Sequence, residues 1–163
     1  MKITNQRVMG IDPGYDRLGI AIMEKDPRGE KLIFSTCLTS DKKADFSQRL
    51  WQLGKEIEKI IKKHRPTVVA MEKLFVTVNQ KTAMAVAEVR GMIIYLSAKY
   101  QLAVNDFSPL EIKSCLTGYG QADKKQMISL VEKILKIKTK KKFDDEYDAM
   151  AVALTYLAKG NWR

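Results

Sequence analysis

Apolar residues at the start of the chain come in short runs, and from about position 41 they switch to a spacing of three and four. RVMGID, LGIAIME and EKLIFSTCLT are the early runs, and DPRG reads as the turn between the second and third. LGIAIME alternates less than a strand with one wet face would, which predicts burial on both sides. Together the three predict an antiparallel meander. Between about Asp41 and His64, the residues Phe46, Leu50, Leu53, Ile57, Ile60 and Ile61 make one helical stripe, and Pro66 stops it. TVVAME follows as a short buried strand. From Asn79 to Tyr100 the chain is apolar nearly all round, as in a helix central to the core or shared with another subunit.

LAVNDF predicts a fifth strand, and Pro109 opens a short helix. TGYGQAD is a glycine loop in which Asp123 is placed to cap the next helix, with Met127, Leu130, Val131 and Ile134 on its apolar side. A final helix starts near Phe143. The order β-β-β-α-β-α-β-α-α-α contains strand–helix–strand crossovers, which predict parallel pairing of the later strands. The expected architecture is α/β: a mixed five-stranded sheet, three antiparallel strands and then parallel ones, flanked by helices. At 163 residues, one domain over 1–163 is expected.

Charge adds a partner. Lys and Arg number 29 against 19 Asp and Glu, a net charge of +10, which favours a polyanion. A solvated basic surface is the plainer reading of the same number. No apolar run is long enough for a membrane helix, and MKITNQRVMG lacks the core of a signal peptide, so a cytoplasmic protein with no membrane partner is expected. Cys37 and Cys115 have no CxxC partner and read as reduced thiols. His64, the single histidine, stands at a helix end beside Lys62, Lys63 and Arg65, where capping explains it; a zinc site has nothing to build with.

Against this basic background the acids are placed oddly. Asp12 ends the first strand and is followed by Pro13 and Gly14; Glu72 ends the fourth. Asp144, Asp145, Glu146 and Asp148 crowd the start of the last helix, just after a basic run, Lys138 to Lys142. Asp145 and Asp148, three apart, share a helix face. Each acid has a structural explanation by itself: a turn for Asp12, an N-cap for Asp144 or Asp145. As a group they would repel, and unpaired acids at the ends of buried strands would lose roughly several kcal/mol of hydration. Hard divalent cations relieve both problems. A pair of them can clamp a phosphodiester during in-line attack by water.

GIDPG (10–14), MEKLF (71–75), Asn79, VRG (89–91), TGYGQADKKQ (117–126) and DEYDAMAVALT (145–155) lie in order along nearly the whole chain. This set resembles the RuvC family of bacterial Holliday-junction resolvases. The resemblance implies an RNase H-like fold and a homodimer. It implies Mg²⁺-dependent endonuclease action, with Mn²⁺ as a substitute and two ions per site, nicking two opposed strands of a four-way DNA junction to leave 5′-phosphate and 3′-hydroxyl ends. The catalytic and metal-binding acids would be Asp12, Glu72, Asp145 and Asp148, with Asp144 supporting them or capping the helix. Lys124 would serve both catalysis and DNA binding, and Gly118 and Gly120 would let backbone approach a ligand. Lys113 matches a basic position near the phosphate, or is a solvated helix residue. Phe75 matches an aromatic set against junction bases, or is a core phenylalanine. Asn79 and Arg90 match positions on the long helix that contact DNA backbone or cap the helix. That helix, 79–100, is the expected dimer interface, and a RuvAB-type branch-migration complex a further partner. The basic run at 138–142 departs from the family pattern.

Three other readings are open. An RNase H-like nuclease could act on RNA hybrids or on other branched DNA or RNA. A phosphotransferase of the actin and sugar-kinase type also follows a strand with Asp and Gly, but needs a second domain. A junction-binding protein without catalysis would keep the shape alone, although every acid position here is filled.

Overall fold

The early apolar runs form β1 (Arg7–Asp12), β2 (Arg17–Asp26) and β3 (Gly29–Thr39), each antiparallel to the next. The structure, a computed structural model, describes residues 6–74, 80–137 and 143–160. Helix α1 (Phe46–His64) crosses to β4 (Val68–Glu72), and α2 (Gln80–Lys99) crosses to β5 (Ala103–Phe107). Three helices follow: α3 (Pro109–Thr117), α4 (Lys124–Leu135) and α5 (Asp144–Lys159). The sheet order is β3-β2-β1-β4-β5, and β4 runs parallel to both β1 and β5. The mixed five-stranded α/β sheet expected from the sequence is the one found.

Residues alternate across β1. Val8 packs with α5, α3 and α4 on one face of the sheet; Met9 and Ile11 pack with α1 and α2 on the other. Fully burying each such side chain contributes roughly 1.5–3 kcal/mol, so the central strand is fixed from both sides. β2 is buried from Leu18 to Met23, as its weak alternation predicted.

Two helix starts differ from expectation. α1 begins at Phe46, not near Asp41. The Asp41 carboxylate accepts from Lys43 N–H at 2.9 Å and its carbonyl from Ala44 N–H at 3.1 Å, so the aspartate closes a local turn instead of opening a helix. The N-cap of α5 is Phe143, so neither Asp144 nor Asp145 is the cap. Asp123 caps α4 as expected, in a reciprocal pair with Gln126, and Ser108 does the same for α3 with Glu111.

α2 buries Val89, Ile93 and Leu96 and exposes Met84, Ile94 and Tyr95, so its apolar circumference is divided between the core and the surface. His64 ends α1, and its ring stacks on Phe34 at 4.7 Å. Arg65, in the left-handed region, terminates that helix. Cys37 and Cys115 are free thiols. Among the described residues, no helix is long and apolar enough to cross a membrane.

Candidate active site

β1 and β4 are parallel neighbours, so their carboxyl ends emerge together. Ile11 pairs with Met71, which makes Asp12 and Glu72 the next residues along the two strands. The third contribution comes from α5, which lies unusually close to the sheet. A β-carbon on Gly10 would collide with the Ala149 carbonyl, and one on Gly19 with the Asp145 carbonyl. Glycine at both positions lets the first two turns of α5 rest on β1 and β2, bringing Asp145 and Asp148 beside Asp12. The opening of the α5 helix also suits carboxylates, because its free N–H groups carry partial positive charge.

The four acids sense one another. Burial pushes the Asp12 carboxyl up to about 7, and the charges of Asp148, Glu72 and Asp145 add to the shift. Glu72 is raised by burial and then by Asp148. Asp148 is raised by burial, against the opposing hydrogen bond from Lys124. Lys124 Nζ lies 3.1 Å from Asp148 Oδ2 and 3.3 Å from Asp144 Oδ2. Burial lowers the affinity of Lys124 for its proton, but the bond and charge of Asp148, with Asp144, raise it overall. Asp144 is therefore a partner of Lys124 at the rim.

Two clefts meet at these acids. One, of about 790 Å³, has Asp12, Glu72, Lys73, Arg90 and Leu110 in its walls. The other, of about 240 Å³, is lined by Glu72, Lys113, Lys124, Met127 and Asp148. Lys113 thus faces the acids, and its charge favours the ionised form of Glu72. Arg90 is largely buried: one guanidinium nitrogen donates to the Glu72 carbonyl and the other to Asp106 Oδ1 at 2.9 Å. It braces the end of β4 against β5 and also borders the larger cleft.

The glycine loop has a conformational role. Gly118 ends α3 with φ +72°, and Gly120 sits against Leu110 and Ser114, where a β-carbon would not fit. Both shape the turn that delivers Asp123 and Lys124. Phe75, Asn79 and Lys138 to Lys142 lie outside the described residues.

Three contacts were not apparent from the sequence. Arg17 Nε is 3.2 Å from Asp145 Oδ2. Cys37 Sγ is 3.9 Å from the same oxygen. Burial, then the Asp145 charge, pushes that thiol up to about 11, which keeps it protonated. Glu146, one of the crowded acids, turns inward and accepts from Ser35 Oγ at 2.6 Å, so it belongs to the packing between α5 and β3. Position along a strand gave no signal for any of these, because they depend on where α5 crosses β2 and β3.

The donor set fits a hard cation. Its side chains are oxygen donors, they repel one another at neutral pH, and one of them is buried with a strongly raised pKa. Among the described residues, no three acidic, histidine or cysteine side chains already stand in ligating positions. Asp12 and Glu72 share the larger cleft, Glu72 and Asp148 the smaller, and Asp145 lines a neighbouring one with Arg17.

A family model described as crossover junction endodeoxyribonuclease RuvC matches residues 8–156. A protein of that name from Caldanaerobacter subterraneus subsp. tengcongensis is 37% identical over 156 residues, covering 95% of this chain and 94% of the relative. One from Finegoldia magna is 38% identical over 151 residues, covering 93% and 92%. The solved RuvC of Thermus thermophilus superposes with a TM-score of 0.86 at 24% identity, over 94% of each chain. The T. thermophilus protein in complex with a Holliday junction substrate gives 0.88, also at 24% identity and 94% coverage of each. These structures carry the RNase H-like fold class.

Proposed function

This chain belongs to the crossover junction endodeoxyribonuclease RuvC family, and from that premise we propose that it resolves four-way DNA junctions by metal-dependent nicking. The observation that carries the reading is the meeting of Asp12, Glu72 and Asp148 at the carboxyl ends of β1 and β4, with Lys124 bonded to Asp148. Asp12, Glu72, Asp145 and Asp148 would hold the metal, and Mg²⁺, two ions per site, suits their all-oxygen character. When bound, such ions lower the pKa of attacking water and offset charge on the departing 3′ oxygen.

The chain's own residues supply the rest. Asp12, on the central strand and between the other acids, anchors the site. Lys124, fixed at the first position of α4 by the Asp123–Gln126 cap, favours the ionised form of Asp148 and offers positive charge to the phosphate. Lys113, on the far side of the smaller cleft, adds a phosphate contact. Arg90 serves DNA binding chiefly by holding Glu72 in place. Phe75 and Asn79 are assigned to junction contacts on the family pattern.

A four-way junction is two-fold symmetric, so paired incision calls for two copies of this site. The exposed apolar residues of α2, Met84, Ile94 and Tyr95, support that helix as the dimer interface. The whole of 1–163 would form one nuclease unit of each protomer, with a branch-migration complex as a further partner. Cleavage of a mobile four-way junction, a linear duplex and an RNA–DNA hybrid in Mg²⁺ tests the proposal. Paired nicks in the junction alone are expected. Preferential cutting of the hybrid assigns a ribonuclease substrate, and tight junction binding without nicking assigns a binding protein.

A further inference from the structure

We propose that Arg17 is a positioning residue that orients Asp145 for metal binding. The inference rests on the metal reading of the acid cluster. Arg17 opens β2 and lies opposite Thr39 of β3; two pairs further on, Gly19 lies opposite Cys37. Gly19 is also the place where the backbone of Asp145 presses on the sheet. The carboxylate of Asp145 therefore emerges over the Arg17 and Cys37 side chains. Both contact one oxygen: Arg17 Nε at 3.2 Å and Cys37 Sγ at 3.9 Å from Oδ2. Among the described residues Oδ1 has no hydrogen-bond partner. Arg17 and Cys37 hold Oδ2 from the sheet side, and the charge of Asp145 acts on both Asp12 and Asp148.

Two effects of Arg17 oppose each other. Its charge repels a nearby cation, whereas its grip fixes the rotamer of a ligand. The guanidinium side chain is 54% exposed, against 15% for Asp145, so water screens its charge. The pairing with Asp145 acts at 3.2 Å, where screening is weaker than over the longer distance to a cation among the acids. Groups that orient metal-binding side chains typically contribute 10–100-fold to affinity, and a half-exposed arginine falls at the low end. The grip wins, and Arg17 strengthens metal binding. Arg17 also borders a cleft of about 590 Å³ with Tyr15, Ser40, Lys42 and Asp145 itself, so a direct DNA contact is the rival role.

The test is Mn²⁺ binding to the metal-free protein without DNA, followed by calorimetry and by the electron paramagnetic resonance signal of free Mn²⁺. R17Q is expected to weaken binding about tenfold, and R17K to recover part of the loss. Melting temperature in chelator and junction affinity in chelator should stay at wild-type values. Cleavage by R17Q should recover as Mg²⁺ is raised. Mn²⁺ affinity that is unchanged or tighter in R17Q overturns the inference. Junction affinity that falls while Mn²⁺ affinity holds makes Arg17 a DNA contact instead. If the wild-type protein itself binds no Mn²⁺, the metal reading fails and takes this inference with it.

Discussion

The carbonyl oxygen of Asp145 occupies the space into which a β-carbon on Gly19 would project. A side chain no larger than a methyl group at Gly19 must therefore lift the start of α5, and with it two acids of the site. Gly19→Ala is expected to destabilise the protein by about 1–3 kcal/mol, the usual cost of overpacking a tight contact. Urea unfolding measures this, and Mn²⁺ affinity should fall in the same variant. Wild-type stability in Gly19→Ala would mean that α5 does not rest on β2.

Asp12 gives the metal-free protein a characteristic pH dependence. Its folded pKa is about 7, above the ordinary 3.8, so between those values the native state holds more protons than the unfolded state. Stability is then lost as pH rises from about 4 to about 7, by up to about 4 kcal/mol at roughly 1.36 kcal/mol per unit. Asp12→Asn should remove the Asp12 share of this slope, leaving the smaller one from Glu72 and Asp148, while abolishing cleavage and sparing the fold. Urea titrations of both proteins in chelator at several pH values check it. Parallel curves for the two would refute the burial of that charge, and residual nicking by Asp12→Asn in Mg²⁺ would refute its role.

Lys124 bonds Asp148 and faces the smaller cleft. Removing a preorganised donor from such a site costs about 100-fold or more in rate. Lys124→Met is therefore expected to slow single-turnover junction cleavage by about 100-fold at saturating protein. Junction affinity should change only a few-fold, because many other phosphate contacts remain. Equal losses in rate and affinity would make Lys124 a binding residue only.

Arg90 ties the Glu72 carbonyl to Asp106 across β4 and β5. Its guanidinium side chain is only 11% exposed, so its loss leaves both partners without their cation. Arg90→Ala is expected to lower stability by about 2 kcal/mol, read in chemical denaturation, and to weaken Mn²⁺ binding through Glu72. A variant of full stability that loses only DNA affinity would show that Arg90 acts at the DNA surface.

Much of this arrangement was legible in the sequence because it follows from short-range rules. The runs ending in Asp12 and Glu72 read as buried strands closed by an acid, and the crossover after β3 predicts parallel pairing of the later strands; that β1 and β4 are neighbours is what the structure adds. The cap at Asp123 is local as well. What escaped depends on contacts distant in the chain. The spacing of three put Asp145 and Asp148 on one helix face and left Glu146 aside, but nothing in DDEYD says that Glu146 turns in to Ser35. Arg17 and Cys37 reach Asp145 only because α5 settles onto β2 at Gly19. The helix expected from about Asp41 starts at Phe46, because Asp41 closes a turn with Lys43 and Ala44 first.

Crystals soaked in Mn²⁺ and recorded at the manganese absorption edge give the most direct test of the site. Anomalous density is expected among Asp12, Glu72, Asp145 and Asp148, with those carboxylates rotated onto it. Density elsewhere, or acids that stay apart at saturating Mn²⁺, would contradict a metal-dependent nuclease centre at the ends of β1 and β4.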